Sequence, residues 1–499
     1  MSKRLSLALF AAFCIGAIIL SIITGIKLHS PVKPGADIIA ALFVLLSVFI
    51  CFVSGFVFFR YDKLKIEKIF AVFFVVFGFL YMVIIPMFGS NDEPNHWKRI
   101  LQISRGDIMS VQVQQEVGGF LPSNTVPRLR GISDLFIKFD EKNIEFFNFG
   151  NTAAYSPLSY TLHLPGVLAA NLISNYVYAN AYAGRLSCLI LSFFLLYFVI
   201  RKIPIKKKTL FVLITTPLFL QETATLNADV LLNIVSYAAI VLILFYSYGE
   251  AALEKIKIRT LLIIILLSLI ISMNKTAYFP LILLFLMLPS SKFQSQKQKI
   301  ISISVLFIIC FIIDLLWTLK TSGGMDTDFN NMAYVFANPI SFAILFTKNV
   351  IANFPYAVYG SFGGNLGFSV TGESPISKWL IYPYVLSILF TALSEKYYEL
   401  KKNNKFLIFV VLFSTISLFS AAMIYANLNF WQNPNGIVLF TGARYYIPVW
   451  FLTALFIASF KTIHINIDEE KVFRIMLLII PFIHLAAYST LIIFYSKYL

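Results

Sequence analysis

Residues 69–99 read IFAVFFVVFGFLYMVIIPMFGSNDEPNHWKR, an apolar run that ends in a cluster of polar residues. The apolar part is long enough to cross a bilayer as one helix. Asp92, Glu93 and His96 follow it directly, so two adjacent carboxylates and an imidazole lie at the edge of a membrane. Because burying a charged side chain away from water is costly at that depth, these side chains lie either on a solvent-exposed surface or in a functional site.

The composition is that of a membrane protein. Of the 499 residues, 59% are hydrophobic and 13% are charged, and the mean hydropathy is +0.81. Long apolar runs alternate with short basic loops, which is typical of an all-α polytopic helical membrane protein. A transmembrane barrel would show alternating segments of about ten residues, and the sequence has none. The net charge of +16 comes from the short loops, so it reflects topology and predicts no nucleic-acid partner.

The basic loops also predict the orientation in the cytoplasmic membrane. Lys3 and Arg4 place the N-terminus in the cytoplasm, and the basic loop 60–68 is the next cytoplasmic segment. The span 69–88 then leads outward and puts Asp92 on the external face. The same rule predicts about 13 crossings. They are 5–26, 37–59, 69–88, 178–200, 209–224, 228–247, 260–273, 276–289, 300–319, 379–394, 406–426, 445–460 and 473–496.

We expect three segments along the chain. Residues 1–68 hold two N-terminal spans and a basic cytoplasmic loop, residues 69–460 form the main membrane domain, and residues 461–499 hold the last loop and span. No soluble domain or low-complexity linker interrupts them.

The longest polar segment is the first external loop, residues 90–154. After Pro94 we predict an amphipathic helix that lies in the membrane interface and ends at Arg105-Gly106, followed by irregular loop structure. Residues 155–173 are apolar but must begin and end outside, which predicts a re-entrant or interfacial helix. Residues 333–360 look like a second interfacial segment for the same reason.

Asp92 and Glu93 have two readings. With Pro94 at the first helical position, the carboxylates are placed to cap the helix, and the spacing supports this role as well as a chemical one. A carboxylate at a water–lipid boundary could also act as general base on a sugar hydroxyl, or hold a divalent cation such as Mg²⁺ or Mn²⁺. His96 could assist as a ligand or phosphate partner, or be a plain interfacial side chain.

The motif Asp92-Glu93-Pro94-Asn95-His96, which ends a span and opens an amphipathic helix, resembles an uncharacterised family of predicted bacterial membrane proteins. Further matching fragments are Tyr155-x-Pro157-x-x-Tyr160, Gly184-Arg185-Leu186, Asn227-Ala228-Asp229, Asn274-Lys275-x-x-Tyr278 and Gly442-Ala443-Arg444-Tyr445-Tyr446-x-Pro448. That family is grouped with the GT-C superfamily, integral-membrane glycosyltransferases that use lipid-phosphate-linked sugars. The chain departs from the simplest GT-C layout because its motif follows the third span, so the first two spans look like an N-terminal addition.

The resemblance implies a catalytic Asp in the first external loop beside a second acidic residue, and this role maps onto Asp92 with Glu93. Transfer from a polyprenyl phosphate also needs positive charge for the departing phosphate. Arg444, Lys275 and Arg185 are the candidates, since arginine in particular suits bidentate phosphate contact. Each of the three could instead be an interfacial anchor.

Asp229, which is the first residue of an apolar helix, could line the same external site as Asp92 or merely cap the hairpin of spans 209–224 and 228–247.

The expected function is that of an inverting GT-C-like glycosyltransferase that moves a sugar from a polyprenyl-phosphate donor to an extracytoplasmic envelope glycan or lipid-linked acceptor. Its partners would be membrane lipid, the donor and the glycan acceptor, and a divalent cation at Asp92 would be the one cofactor.

The alternatives are a flippase or transporter of lipid-linked glycans, and an envelope polysaccharide polymerase or ligase. A transporter would carry polar residues along its span interiors and open a water-filled path to the cytoplasm.

Overall fold

The computed structural model describes residues 2–30, 35–114, 116–127, 132–321, 335–364, 366, 376–426 and 442–496. Positions 115 and 128–131 of the first external loop, and 333 and 334 of the second predicted interfacial segment, lie outside these ranges. The helices are α1 (Lys3–Leu28), α2 (Ala36–Arg60), α3 (Ile66–Ile84), α4 (Glu93–Ser104), α5 (Gly150–Ala153), α6 (Leu164–Ile173), α7 (Val177–Lys202), α8 (Lys207–Ile214), α9 (Pro217–Ala224), α10 (Asp229–Tyr248), α11 (Ile258–Asn274), α12 (Gln296–Thr321), α13 (Pro339–Tyr359), α14 (Lys378–Ser394), α15 (Lys402–Ala426), α16 (Ile447–Ala458) and α17 (Glu469–Tyr495).

Shorter helical turns connect them. The 3₁₀ helices are Tyr61–Lys63, Ile132–Phe136, Pro157–Tyr160, Glu250–Leu253, Thr276–Met287, Ser290–Lys292, Ala443–Tyr446 and Lys461–Ile463, and Gly360–Gly364 forms a π-type turn. The strands are β1 (Val111–Val113), β2 (Glu116–Pro122) and β3 (Ile144–Asn148).

The predicted class, an all-α polytopic membrane protein, is confirmed. Within the described ranges eight helices are long and apolar enough to cross a membrane, namely α1, α2, α3, α7, α10, α12, α15 and α17. Four more of the predicted crossings are shorter apolar helices, namely α11, Thr276–Met287, α14 and the stretch Ala443–Ala458. Large apolar side chains such as Phe52, Phe194 and Phe413 are exposed on the bundle, as expected for helices that face lipid.

The predicted spans 260–273 and 276–289 are short for a crossing helix, but the helices found there, α11 and Thr276–Met287, approach the length that a crossing needs. The second of them, Thr276–Met287, is a 3₁₀ helix with Pro280 inside it. Since a 3₁₀ helix rises about 2.0 Å per residue, its 12 residues extend about 24 Å. The 17 residues of α11 extend about 25 Å as an α-helix. Both lengths approach the roughly 30 Å of a hydrocarbon core.

The predicted span 209–224 is not one continuous helix, because the chain breaks between α8 and α9. Pro217 is the first residue of α9 and offers no backbone N–H, and it forces Thr216 into an extended conformation (ψ 151°). The carbonyl of Thr215 lies at the break and pairs with His484 Nε2 at 2.9 Å.

The first external loop is more ordered than predicted. The amphipathic helix is present as α4, but β1, β2 and β3 form an antiparallel sheet in that order where we expected irregular structure. Gly118 in β2 lies opposite Asn148, and a Cβ there would lie 1.8 Å from the Phe147 carbonyl oxygen, so the close approach requires glycine. Glycine has a low strand propensity, so the pair 118–119 weakens the sequence signal of β2 and the strand was not predicted. The sheet packs on α4 and holds it.

The two predicted interfacial segments are both helical. Residues 157–173 contain the 3₁₀ turn Pro157–Tyr160 and α6, and residues 339–359 form the single helix α13. Their location relative to the bilayer stays a prediction.

The N-terminal and C-terminal segments form one layer. The helices α1 and α2 pack against each other and against α17. Thr24 Oγ1 and Ser489 Oγ are hydrogen bonded at 2.6 Å, and Phe482 lies directly against Gly16.

Contacts at each end of the bundle join segments that the basic-loop rule assigns to the same side of the membrane. At one end Lys208 pairs with Glu469 and Glu470 at 3.0 and 2.7 Å, which joins two loops predicted to be cytoplasmic. At the other end the Tyr495 hydroxyl donates to the Gly89 carbonyl at 2.6 Å, which places the end of α17 beside the Asp92 motif. Which end faces the cytoplasm stays a prediction from the basic residues.

Candidate active site

Four charged side chains from distant parts of the sequence form one ion-pair network. Arg444 is its centre: Nη2 donates to Asp92 Oδ2 at 2.7 Å, and Nε lies 3.1 Å from Asp229 Oδ2. Lys275 Nζ pairs with the other oxygen of Asp229. The network therefore holds two carboxylates and two cations at one end of the helix bundle. The structure thus brings together four of the seven candidate residues named from the sequence.

The two carboxylates differ in accessibility. The side chain of Asp229 is 4% exposed, because it opens the buried helix α10, whereas that of Asp92 is 42% exposed. Asp229 is therefore a buried counter-ion for both cations, and Asp92 is the carboxylate that a substrate can reach.

Asp92 does not cap α4. It occupies the residue before the helix in a left-handed conformation (φ 59°), and its side chain makes no hydrogen bond to the helix N-terminus. The carboxylate turns instead toward Arg444, and its Oδ1 accepts from Asn151 Nδ2 at 3.2 Å. Phe88 is also left-handed (φ 66°), which is strained for a bulky residue. The chain between α3 and α4 is thus bent to present Asp92.

A buried ion pair behind the network holds this bend. Arg185 Nε and Nη2 donate to the two oxygens of Glu93 at 2.7 and 2.6 Å, and both side chains are 0% exposed. The other Arg185 donors bind the carbonyls of Met82, Ile85 and Pro86 at the end of α3. All five guanidinium N–H groups are therefore engaged. Neither residue has a free group for substrate, although the sequence placed Glu93 beside the base and Arg185 among the phosphate candidates.

Glu93 also fixes the position of Asp229. Its Oε1 accepts from the backbone N–H of Leu226 at 2.9 Å, in the loop that leads into α10. Asn227 Oδ1 then accepts from the N–H groups of Asp229 and Val230 at 3.0 Å and caps the helix. A carboxylate at a helix N-terminus is favoured by the helix dipole.

Lys275 lies between two aromatic rings. Its Nζ is 3.6 Å from the ring centroid of Tyr445 and 5.4 Å from that of Tyr155, which stabilises the ammonium. Burial alone would lower the pKa of Lys275, but the adjacent Asp229 carboxylate holds this pKa well above its usual value. Lys275 is therefore a permanent cation in the network.

His96 is a neutral side chain. Its Nδ1 is hydrogen bonded to the Tyr160 hydroxyl at 2.9 Å, and the ring is buried. Burial, and then the positive charge of Arg444, lower the pKa of His96 to about 3. It carries no positive charge for a phosphate at physiological pH, so a phosphate contact would have to be a hydrogen bond.

A divalent cation at Asp92 stays a prediction, and both oxygens of this carboxylate already have protein donors. One carboxylate oxygen accepts from Asn151 and the other from Arg444. In the part of the chain that the structure describes, no three His, Cys, Asp or Glu side chains converge as a metal site.

Sequence reasoning missed several residues around the network. Asn151 orients Asp92, and Tyr155 and Tyr445 hold Lys275. The available signal was that both tyrosines lie in the matching fragments that also supplied Lys275 and Arg444.

The fold and the site define a polytopic α-helical membrane protein with a buried ion-pair network at one end of its bundle. The chain belongs to a family of predicted membrane proteins, DUF2142, whose model matches residues 73–453. This range includes every residue of the site and leaves out α1, α2 and α17. No curated protein and no solved structure matches the chain.

Proposed function

We propose that this protein is a GT-C-like inverting glycosyltransferase that moves a sugar from a polyprenyl-phosphate donor to an extracytoplasmic glycan or lipid-linked acceptor. The observation that carries the proposal is the contact of an accessible carboxylate, Asp92, with the buried cation Arg444 at the end of a membrane bundle. A base and a phosphate-binding cation side by side are the two groups that this transfer needs.

Asp92 acts as the general base. It takes the proton of an acceptor hydroxyl while that oxygen bonds to the anomeric carbon of the sugar. The bond between the anomeric carbon and the phosphate oxygen breaks on the opposite face, and the polyprenyl phosphate leaves as an anion. The anomeric configuration is inverted because one displacement occurs.

Arg444 and Lys275 stabilise the departing phosphate. Among the described residues, Arg444 Nη1 makes one long contact, 3.4 Å to the Asn91 carbonyl, so it retains donor capacity. Lys275 has three N–H donors, of which Asp229 takes one. Charge-assisted hydrogen bonds of this kind are roughly twice as strong as neutral ones.

Glu93 and Arg185 are positioning residues in this proposal. They join the end of α3 to the start of α4 and to the loop before Asp229. Their role is to hold Asp92 and Asp229 at a fixed separation around Arg444, which matters because small displacements of a reacting group cost large factors in rate.

Substitution of Asp92 tests the proposal. Asn keeps the size of the side chain and tolerates the left-handed backbone, so Asp92→Asn removes the base without adding strain. We expect about a 10²- to 10⁴-fold loss of transfer. The measurement is the envelope-glycan composition and linkage in a deletion strain complemented with either variant, at equal membrane protein level. The matched control is Asp107→Asn, an exposed Asp of the same loop.

Asp92→Asn should reproduce the deletion phenotype and Asp107→Asn should restore the glycan. Restoration by Asp92→Asn at the normal rate would overturn the role of Asp92. An envelope glycan that is unchanged by the deletion itself would overturn the function.

A second candidate, transport of lipid-linked glycans, is favoured by a row of polar residues on α10. Asn233 and Ser236 continue the face of Asp229 inward, and neither finds a hydrogen-bond partner among the described residues. The same face continues with buried Ile240 and Leu244, so the polar row ends inside the bundle. Translocation of a fluorescent lipid-linked sugar across protein-containing vesicles, unaffected by Asp92→Asn, would favour transport over transfer.

A further inference from the structure

A polar cavity of about 250 Å³ lies beside the ion-pair network, on the side of α12. Lys275 belongs to both, and Tyr155, whose ring flanks Lys275, also lines the cavity, so the cavity and the network share a border. Its other polar walls are Asn151, Asn274, Asp314 and three threonines, and Trp317 adds an indole. Apart from Lys275, none of these wall residues contacts a reacting group in the proposed transfer.

Asp314 is a carboxylate within a membrane-spanning helix. It lies inside α12 and is 5% exposed, and none of the ion pairs among the described residues includes it. Ionisable residues inside transmembrane helices are rare and usually serve a site. Its position on the cavity wall gives that site a place.

Asn274 supplies the independent sign of a ligand. Its Nδ2 donates to the Ala228 carbonyl at 3.1 Å, which fixes the amide. Its Oδ1 has no hydrogen-bond partner in the described part of the chain, although the residue is only 5% exposed. Because buried acceptors are nearly always satisfied, this atom is open to a donor from a ligand in the cavity.

The chemistry of the walls matches a polyhydroxylated ring. A carboxylate, two amides and threonine hydroxyls offer many acceptors and donors in a small volume. The Trp317 indole N–H donates to the Ala154 carbonyl at 2.8 Å, which holds the ring in the wall. An acyl chain would leave Asn274 Oδ1 unsatisfied and the Asp314 carboxylate against hydrocarbon, so it is disfavoured here.

We propose that this cavity, built on Asp314 and Asn274, binds the sugar ring of the donor, while Lys275 at its border contacts the phosphate. This inference rests on the proposed glycosyl transfer and extends it, because it assigns the sugar and the phosphate to different walls. Asp314 accepts hydrogen bonds from the sugar hydroxyls and is a specificity residue.

The test is ligand binding by the full-length protein in nanodiscs. The probes are a polyprenyl phosphate, the same lipid carrying a single hexose or pentose, and the corresponding free monosaccharides. The variants are Asp314→Asn and Thr318→Val, a second wall substitution in case the first fails to fold. The matched control is Leu316→Ala, which removes a side chain of the same helix that is 61% exposed.

We expect Asp314→Asn to raise the Kd of the sugar-bearing lipid about tenfold or more, the effect of a lost charged hydrogen bond. It should leave the Kd of the sugar-free polyprenyl phosphate unchanged, and Leu316→Ala should change neither. Equal binding of sugar-bearing lipid by wild type, Asp314→Asn and Thr318→Val, or no sugar-dependent binding by wild type, overturns the inference.

The binding experiment distinguishes failure of the sugar-binding cavity from failure of the proposed transfer. Monosaccharide binding that depends on Asp314, with no binding of polyprenyl phosphate, supports the cavity and contradicts the transfer. Polyprenyl-phosphate binding without Asp314-dependent sugar binding contradicts the cavity and leaves the transfer standing.

Discussion

Asp92 and Glu93 are neighbours in the chain but have opposite environments. Asp92 is exposed and faces Arg444, whereas Glu93 is enclosed with Arg185. A buried ion pair is costly to break, because removal of one partner leaves an uncompensated buried charge. The stability of the site thus depends on Glu93, and its proposed chemistry depends on Asp92.

Glu93→Gln tests this division. The substitution leaves Arg185 buried without a counter-ion, and we expect a loss of about 3–5 kcal/mol in the free energy of unfolding. The measurement is the apparent melting temperature in detergent, which should fall well below that of wild type, while Asp92→Asn should leave it nearly unchanged.

The matched control for Glu93→Gln is Glu141→Gln. Glu141 pairs with Arg105 in the same loop at 2.6 Å, but its side chain is 48% exposed. Exposed pairs contribute under about 1 kcal/mol, so this variant should melt close to wild type. Equal melting temperatures for Glu93→Gln and Glu141→Gln would contradict the buried clamp.

The residues of the network could be named from the sequence, but their pairing could not. Asp92, Asp229, Lys275 and Arg444 each stand out as charges at the ends of apolar runs. Arg185 has the same appearance, and its different role follows only from the carbonyls of α3 that surround it. A linear sequence does not show which opposite charges meet.

At the scale of elements, α6 packs on α7 through a glycine. A Cβ at Gly166 would lie 2.0 Å from the Ala183 carbonyl oxygen and 2.6 Å from Ser187 Cβ, so any side chain would push the helices apart. Backbone atoms cannot give way as a flexible side chain can. The close approach fixes the position of α7, the helix that carries Arg185 one position after Gly184.

Gly166→Ala should therefore destabilise the protein by about 1–3 kcal/mol through overpacking. The readout is the yield of monodisperse protein in detergent and its melting temperature. Gly25→Ala on α1, where a Cβ would meet nothing within 4 Å, is the control and should match wild type. A Gly166→Ala protein as stable as this control would show that α6 and α7 separate freely.

Hydropathy predicted the long helices well, because a run that faces lipid on one side must be apolar along its length. It did not predict the break at Pro217 or the 3₁₀ form of Thr276–Met287, since both follow from backbone hydrogen bonding. The small sheet was missed because the signal of β2 contains two glycines.

At the scale of the whole molecule, the two ends of the bundle carry different contacts. The end with Lys208 and Glu470 contains short loops, and the end with Asp92 contains the sheet and the network. The basic-residue rule predicts that the second end is external.

Cysteine labelling in intact cells tests the orientation. Lys142→Cys lies in the exposed loop of the network end, and Lys255→Cys lies in an exposed loop predicted to be cytoplasmic. We expect a membrane-impermeant maleimide to label the first directly and the second only after permeabilisation. The parent protein with its cysteines at 14, 51, 188 and 310 is the background control. The reverse pattern would invert the topology and place Asp92 in the cytoplasm.

The guanidinium of Arg185 also has a consequence for depth. It grips the last carbonyls of a membrane helix with three of its donors and the first side chain of the next helix with the other two. The position of Asp92 relative to the end of α3 is thereby held by a single, fully hydrogen-bonded side chain rather than by a loop. In the proposed transfer, such a clamp admits a reacting bond only at one height above the hydrocarbon, whatever the length of the lipid tail below it.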